Sequence, residues 1–275
     1  MSIALEEEGA YQSLQIVLQD AFGVVIGEGR NHAILAKLKP VISEFSLDSL
    51  EALVTELHKP GSSDIKNSVL QAITAHEDAW FAPKELFRLL DDYLLADMLD
   101  SGRSNYRIWV IGSGAGQLPY SLAMNIHQAM KQTHAKTKVI IEATDISDSF
   151  VEMAAKGMFD PASMEGISDA SRNKYMEEKS GLWQVNDDIR SMIKFSTCSL
   201  VDDIENRGHY DLIICLNVLL YFSVPVKANL LDSFARLLDP SGILVAGLNE
   251  PVLAQNSNFD MVRHESGIFY RQRAR

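Results

Sequence analysis

The chain has 275 residues, 47% of them hydrophobic, which is enough for a large core and allows two domains. Its formal net charge of −12, with no basic run longer than two residues, argues against nucleic acid or an anionic membrane as the main partner. The longest apolar runs are too short to span a bilayer, and the acidic start lacks the regions of a signal peptide. Two cysteines, Cys198 and Cys215, cannot form a metal cluster alone. We therefore expect a cytoplasmic protein with no metal site and no membrane insertion.

The first hundred residues have the apolar periodicity of helices and contain no strand-like run. The predicted helices lie around Leu14–Phe22 and at His32–Ser43, Leu47–Leu57, Ser63–Ala75 and Pro83–Asp100. A polar break at Ser101–Asn105 follows the last of them. The change of pattern predicts a helical domain over residues 1–100 and a second domain over residues 101–275.

After the break, strand and helix patterns alternate, which predicts a mostly parallel sheet wrapped by helices, an α/β fold. The predicted strands are Tyr106–Ile111, Lys138–Ala143, Lys194–Cys198, Tyr210–Cys215, Gly242–Leu248 and Ser266–Arg271. The predicted helices are Pro119–Thr133, Ser147–Lys156 and Pro225–Leu238, the last closed by a turn at Asp239–Gly242. A less regular stretch, Gly157–Ile193, interrupts the alternation.

A glycine-rich loop follows the first predicted strand. Gly112, Gly114 and Gly116 lie between the apolar run that ends at Ile111 and a predicted helix. Glycines let the backbone turn sharply and approach a ligand, and the helix N-terminus offers free N–H groups. The second strand runs into Asp145, an acid well placed to accept both ribose hydroxyls of a nucleoside. The pattern favours a nucleoside-type cofactor site; the alternative is a tight turn followed by a solvated N-cap aspartate.

Two polar side chains follow another buried strand, Tyr210–Cys215. Asn217 and Tyr221 come just after this strand, where ligands bind in an open α/β sheet. An asparagine there can hold a ligand with a donor and an acceptor together. The alternatives are a turn residue for Asn217 and core packing for Tyr221.

The order and wording of five segments resemble one protein family. The segments are Ile73–Ala82, Gly112–Ser121, Thr144–Ile146, Tyr210–Phe222 and Asp239–Glu250. In this order they resemble the motifs of the CheR family, the chemoreceptor glutamate methyltransferases. The similarity extends from about Tyr11 to Arg271.

The resemblance implies a fold, a cofactor and a partner. The fold would be a helical N-terminal domain and a doubly wound, Rossmann-like methyltransferase domain with a small antiparallel β insertion within residues 157–193. The cofactor would be S-adenosylmethionine (SAM) or S-adenosylhomocysteine (SAH), and the partner a chemoreceptor cytoplasmic domain or another signalling protein. The cofactor-binding residues carried over from the family motifs are Gly112, Ser113, Gly114, Asp145, Ile146, Ser199, Leu200 and Asn217. Tyr221 is the candidate catalytic residue.

This chain also departs from the family pattern where the family binds SAM. Ala82 and Leu216 stand where the family has arginines, and Leu118 stands where it has a glutamate. His76 and Asp78 replace two further polar residues. Each lost hydrogen bond to a charged group costs about 1.5–3 kcal/mol, so we expect weak cofactor binding. The alternative functions are a catalytically weak or inactive paralogue that acts as a binding module, and a small-molecule methyltransferase.

Overall fold

The chain folds into two units in the computed structural model. The residues that the structure describes are 2–22, 24, 31–74, 79–100, 103–201, 204–247, 250, 252 and 258–273. By contacts, residues 1–75 and 218–227 form one unit, here called the helical unit. Residues 76–217 and 228–275 form the other, here called the sheet unit. Within the described ranges, no helix is long and apolar enough to cross a membrane.

The helical unit consists of the first four helices and a short turn from later in the chain. The helices are α1 (Ser2–Phe22), α2 (Asn31–Glu44), α3 (Leu50–Leu57) and α4 (Ser63–Ile73). Helix α3 shows why these segments are helical: the Ser49 hydroxyl caps it by accepting a hydrogen bond from the Ala52 N–H at 3.2 Å. Apolar residues at helical spacing along α3 are buried, namely Leu50, Leu53, Val54 and Leu57. The helices lie where the sequence predicts them.

A further helical segment begins the sheet unit. It comprises α5 (Lys84–Leu89), a wider π-helical stretch (Leu90–Leu94) and α6 (Leu95–Asp100). Its buried side chains join the core under the sheet: Leu86, Phe87, Leu89, Leu90, Leu94, Leu95 and Met98. The predicted domain boundary near residue 100 stays a prediction, and this segment packs within the sheet unit.

The remaining elements alternate as expected. The strands are β1 (Asn105–Ile111), β2 (Lys138–Asp145), β3 (Met158–Phe159), β4 (Met176–Lys179), β5 (Leu182–Val185), β6 (Ile193–Thr197), β7 (Tyr210–Cys215), β8 (Leu238–Ala246), β9 (Phe259–His264) and β10 (Gly267–Gln272). The helices are α7 (Gln117–Thr133), α8 (Asp148–Lys156), α9 (Asp169–Tyr175), α10 (Asp187–Arg190) and α11 (Val224–Leu237). The large sheet has the order β6-β2-β1-β7-β8-β10-β9. Its first five strands are parallel, and β10 is antiparallel to both neighbours. This arrangement confirms the predicted α/β fold.

The less regular stretch contains the predicted antiparallel insertion. Strands β3, β5 and β4 form a separate three-stranded antiparallel sheet. Strands β4 and β5 are joined by Ser180 and Gly181, whose φ angles are 54° and 82°. Positive φ at both residues is typical of the two-residue hairpin turn that matches strand twist.

The structure corrects two details near the end of the sheet unit. The predicted turn Asp239–Gly242 lies inside β8, where it forms a bulge: Tyr210 pairs with Leu238, and the next pair joins Leu212 to Ile243. Strand β9 was not predicted, because its polar residues leave little apolar signal and only its first side chain is buried. The predicted strand end at Leu248 lies outside the described residues.

Candidate cofactor site

The loop after β1 is tied to the end of β2. The main-chain N–H groups of Gly112 and Ser113 both donate to the Thr144 carbonyl oxygen, at 2.8 and 3.0 Å. The Gly114 N–H donates to the Asp145 carboxylate at 2.9 Å. The glycine loop and the acid that the sequence singled out are therefore in direct contact.

Asp145 is buried, with 3% of its surface exposed. Its second carboxylate oxygen accepts a hydrogen bond from the Ser147 N–H at 3.0 Å, and its carbonyl accepts from the Cys198 N–H at 2.8 Å. A buried carboxylate is tolerated only where hydrogen bonds replace water, and main-chain donors supply them here. The carboxylate thus fixes the loop as well as marking the end of β2. It is not the solvated N-cap aspartate that the sequence left open, because Ser147 caps α8.

The glycines of this loop are required by its geometry. The φ angles of Gly112, Gly114 and Gly116 are 74°, 52° and 107°, in the region that favours glycine. A Cβ atom at Gly116 would lie 3.1 Å from both the Ala154 Cβ and the Tyr120 ring. The Tyr120 hydroxyl donates to the Ala154 carbonyl at 2.7 Å, and burial raises the pKa of Tyr120 to about 12. The start of α7 is therefore packed closely against α8.

The loop presents polar groups that the protein itself does not fully use. Ser113 is 4% exposed, and its hydroxyl oxygen is buried without a hydrogen-bond partner among the described residues. In the part of the chain that the structure describes, no side chain caps the N-terminus of the 17-residue helix α7, which starts after Gly116. Buried polar atoms normally have partners, so an orphan here is typical of a ligand site. These groups fit the polar amino-acid end of a nucleoside cofactor.

A second buried carboxylate organises the ends of β7 and β8. Glu250 is 2% exposed, and one of its oxygens accepts hydrogen bonds from the N–H groups of Asn217 and Gly247, at 2.9 and 2.7 Å. Asn217 has a φ angle of 59°, and a Cβ atom at Gly247 would lie 2.6 Å from the Glu250 carboxylate. The sequence analysis did not select Glu250 as a site residue. The sequence feature that could have identified it is an acid shortly after a predicted buried strand, Gly242–Leu248.

The structure groups the other predicted cofactor residues by the strands that they follow. Gly112, Ser113, Gly114, Asp145 and Ile146 lie together after β1 and β2. Ser199 and Leu200 follow β6, which pairs with β2, and the bond from the Cys198 N–H connects this turn to Asp145. Asn217 follows β7. All of these parallel strands end on the same side of the sheet, so the predicted residues share that side. Their contacts with a cofactor stay predictions.

Tyr221 occupies a different part of the molecule. It ends the helical turn Leu219–Tyr221, and its contacts place it in the helical unit. Its hydroxyl donates to the Ile73 carbonyl oxygen at 3.2 Å. This hydrogen bond gives Tyr221 a structural partner, and its catalytic role stays a prediction.

Three of the residues at which the chain departs from the family pattern have apolar side chains that the structure buries in part. Leu118, near the start of α7, and Leu216, directly after β7, are partly buried against the main core. Ala82 is also partly buried. His76 and Asp78 lie outside the described residues. Among residues that the structure describes, no group of three His, Cys, Asp or Glu side chains could hold a metal ion.

A doubly wound sheet, a glycine loop after β1 and a buried acid at the end of β2 define an α/β domain that binds a nucleotide-type cofactor. Residues 76–268 match the family described as "CheR methyltransferase, SAM binding domain". The match covers most of the chain, including every residue of the loop and both buried carboxylates. The chain belongs to the CheR methyltransferase family, and residues 76–268 match its SAM-binding domain.

Named relatives agree over nearly the full length. The chain is 31% identical over 264 residues to "Chemotaxis protein methyltransferase 1" of Vibrio cholerae, which covers 95% of this chain and 96% of that protein. It is 31% identical, with the same coverage, to "Chemotaxis protein methyltransferase" of Vibrio parahaemolyticus. It is 30% identical to "Chemotaxis protein methyltransferase 1" of Pseudomonas aeruginosa, over 95% of this chain and 97% of that protein.

Proposed function

We propose that this chain is an SAM-dependent methyltransferase that methyl-esterifies glutamate side chains of chemoreceptors. The observation that carries the proposal is the glycine loop fixed by Asp145, with the orphan Ser113 hydroxyl and the uncapped start of α7 beside it. The names of the relatives, all chemotaxis methyltransferases, support the receptor as substrate.

The chain's residues would act mainly by binding and alignment. When bound, the cofactor supplies a methyl group on a sulfonium sulfur. The loop Gly112–Gly116 and the Ser113 hydroxyl would hold its amino-acid end, and Asp145 would accept hydrogen bonds from its ribose hydroxyls. A glutamate carboxylate is already ionised at neutral pH, so the acceptor needs no general base. Rate then depends on holding the carboxylate oxygen in line with the methyl group.

A calorimetric titration of the full chain with SAH tests the cofactor site. We expect Asp145→Ala to abolish measurable binding, because it removes the ribose acceptor and the anchor of Gly114. The matched control is Asp188→Ala, an exposed acid on α10, which should leave affinity unchanged. Unchanged affinity in Asp145→Ala rules out this placement of the cofactor. Transfer of labelled methyl groups from SAM to a chemoreceptor cytoplasmic fragment tests the activity.

A second candidate function, a catalytically weak binding module, is favoured by the apolar residues Ala82, Leu118 and Leu216. Alanine and leucine cannot imitate the bidentate contacts of a guanidinium or the charge of a carboxylate. Combining Ala82→Arg, Leu118→Glu and Leu216→Arg should then raise SAH affinity at least tenfold, which requires about 1.4 kcal/mol. Micromolar SAH binding and efficient receptor methylation by the unmodified chain would exclude this candidate.

A further inference from the structure

Gln117 is the first residue of α7 and directly follows the last glycine of the cofactor loop. Its side chain is almost enclosed by protein, and only 4% of the residue's surface is exposed. Side chains in a helix tilt toward the helix N-terminus, so the side chain of a first residue is directed back over the preceding loop. Gln117 therefore lies beside the proposed cofactor site.

The main chain at Gln117 is held by the protein itself. Its carbonyl oxygen accepts a hydrogen bond from the Ser121 hydroxyl at 2.7 Å. The same hydroxyl, in a fully buried residue, accepts a hydrogen bond from the Phe81 N–H at 2.9 Å. A hydroxyl that donates to the carbonyl four residues earlier and accepts from another segment fixes the first turn of α7. The position of Gln117 is thus set without a contribution from its amide group.

The amide group of Gln117 has no such partner. Among the described residues it makes no hydrogen bond, and neither of its polar atoms is completely enclosed. The little surface that Gln117 keeps therefore includes its amide atoms. Glutamines are mostly exposed in proteins, and a polar group held this far inside is normally paired. An enclosed side chain whose amide stays unpaired and reachable is typical of a ligand site.

Ser113 gives a second and independent sign of a ligand. It is also 4% exposed, and its buried hydroxyl oxygen has no hydrogen-bond partner within the described ranges. Ser113 and Gln117 stand on the two sides of the turn Gly114–Gly116, which Asp145 anchors through the Gly114 N–H. Two nearly buried polar side chains without partners, one on each side of a fixed glycine turn, favour a common ligand.

We infer that the Gln117 amide binds the amino-acid end of the cofactor together with the Ser113 hydroxyl; this inference rests on the cofactor site of the proposed function. The amino-acid end of SAM or SAH carries an ammonium group and a carboxylate group. A glutamine amide has an acceptor oxygen and an NH2 donor, so it can bind either group. Leu118, the next residue of the helix, offers neither. Gln117 thus supplies a neutral polar contact where its neighbour is apolar.

Calorimetric titration of the full chain with two nucleosides tests the inference. SAH carries the amino-acid end, whereas methylthioadenosine keeps the adenosine and the sulfur but lacks that end. Gln117→Leu should weaken SAH binding about tenfold and leave methylthioadenosine affinity within about twofold, because only SAH loses a hydrogen bond from a charged group. Ser113→Ala should weaken SAH selectively too, by about threefold. Gln132→Leu, at an exposed glutamine of the same helix, is the matched control and should bind both nucleosides like the unmodified chain.

The stability of the variant separates a ligand contact from a structural role. Because the Gln117 amide has no partner in the part of the chain that the structure describes, Gln117→Leu should leave the urea midpoint unchanged or raise it. Unchanged SAH affinity in Gln117→Leu, equal weakening of both nucleosides, or weaker SAH binding with a lower urea midpoint overturns the inference. So does the absence of saturable SAH binding by the unmodified chain up to about 1 mM.

The proposed function can fail separately. These titrations contain no methyl acceptor, so they measure only how the chain binds the nucleoside. A selective loss of SAH binding in Gln117→Leu supports the inference even where the unmodified chain transfers no methyl group to a receptor fragment. That second result contradicts the proposed activity alone.

Discussion

At the carboxyl ends of the parallel strands, the buried carboxylates of Asp145 and Glu250 accept hydrogen bonds from main-chain N–H groups of loops. At the amino ends, the buried carboxylate of Asp211 pairs with the Arg103 guanidinium and with one N–H of a regular strand. A strand keeps its conformation without help from an acid, but the loop at Gly114 does not. Asp145 and Glu250 therefore fix the shape of loops, whereas Asp211 neutralises the charge of Arg103.

This difference separates function from stability within one sheet. A loop whose N–H groups converge on a carboxylate has little conformational freedom left, and a preorganised loop loses less entropy when it binds a ligand. The ion pair at the amino ends offers no such preorganisation. Changes at the carboxyl ends should therefore alter both stability and cofactor affinity, whereas changes at Asp211 should alter stability alone.

The largest effect is expected for Glu250→Ala. The change removes the buried carboxylate that accepts part-buried hydrogen bonds from the N–H groups of Asn217 and Gly247, and each such loss costs about 1–3 kcal/mol. We expect the free energy of unfolding to fall by about 3 kcal/mol, measured by urea denaturation, together with a loss of SAH affinity. Glu178→Ala, at an exposed position on β4, should change stability by about 0.5 kcal/mol or less. Equal effects of the two substitutions would contradict the role given to Glu250.

A smaller effect is expected for Gly116→Ala. The new Cβ would lie 3.1 Å from the Ala154 Cβ at a φ of 107°, so both overpacking and backbone strain oppose it. We expect a loss of about 2–3 kcal/mol and weaker SAH binding, because the start of α7 must move. Gly181→Ala is the matched control: its φ is 82°, but nothing lies within 4 Å of its Cβ. It should cost about 1 kcal/mol, by thermal or urea unfolding, and leave SAH affinity unchanged.

The smallest effect concerns pH. Burial raises the pKa of Asp211, with a further contribution from Asp239, and these outweigh the hydrogen bond from the Arg107 N–H. Burial would also raise the pKa of Glu142, but hydrogen bonds from Arg107 and Tyr210, at 2.6 and 2.7 Å, outweigh it and the net pKa is lowered. The two acids therefore affect stability with opposite dependence on pH.

The sign follows from proton linkage. The favourable contribution of Glu142 is present above its unfolded pKa, 4.5, and is lost as pH falls through its lower folded pKa. The contribution of Asp211 is present below its unfolded pKa, 3.8, and is lost as pH rises through its higher folded pKa. On acidification, the deficit of Glu142→Gln relative to the unmodified chain should shrink, while that of Asp211→Asn should grow. Denaturation curves at several pH values check this, and parallel trends would contradict it.

Local patterns in the sequence were enough to predict the parallel sheet, the helices and the glycine loop. Apolar runs such as Tyr210–Cys215 belong to strands that are buried on both faces, and this burial leaves a clear signal. Strand β9 (Phe259–His264) leaves almost none, because its apolar and polar residues follow neither strict alternation nor a continuous apolar run, and only its first side chain is buried. The bulge at Asp239–Gly242 has the composition of a turn, and only the pairing with β7 shows that β8 continues through it.

The candidate site was predictable in part for the same reason. Gly112, Gly114 and Asp145 carry signals of residue type and spacing, and the structure brings them into contact. Glu250 carries a weaker signal, since its partners Asn217 and Gly247 are defined by loop conformation rather than by spacing. The hydrogen-bond partner of Tyr221 could not be predicted from local sequence patterns, because its hydroxyl donates to a carbonyl oxygen 148 positions away in the chain.

The hydrogen bond between Tyr221 and Ile73 bears on how the protein is made. The helical unit includes residues 218–227, so it cannot be completed until the ribosome has synthesised the chain as far as residue 227. By then β1, β2, β6 and β7 have all been synthesised. The first four helices emerge early, as N-terminal segments do, but their unit is complete only after a segment that follows β7 in the chain has been synthesised.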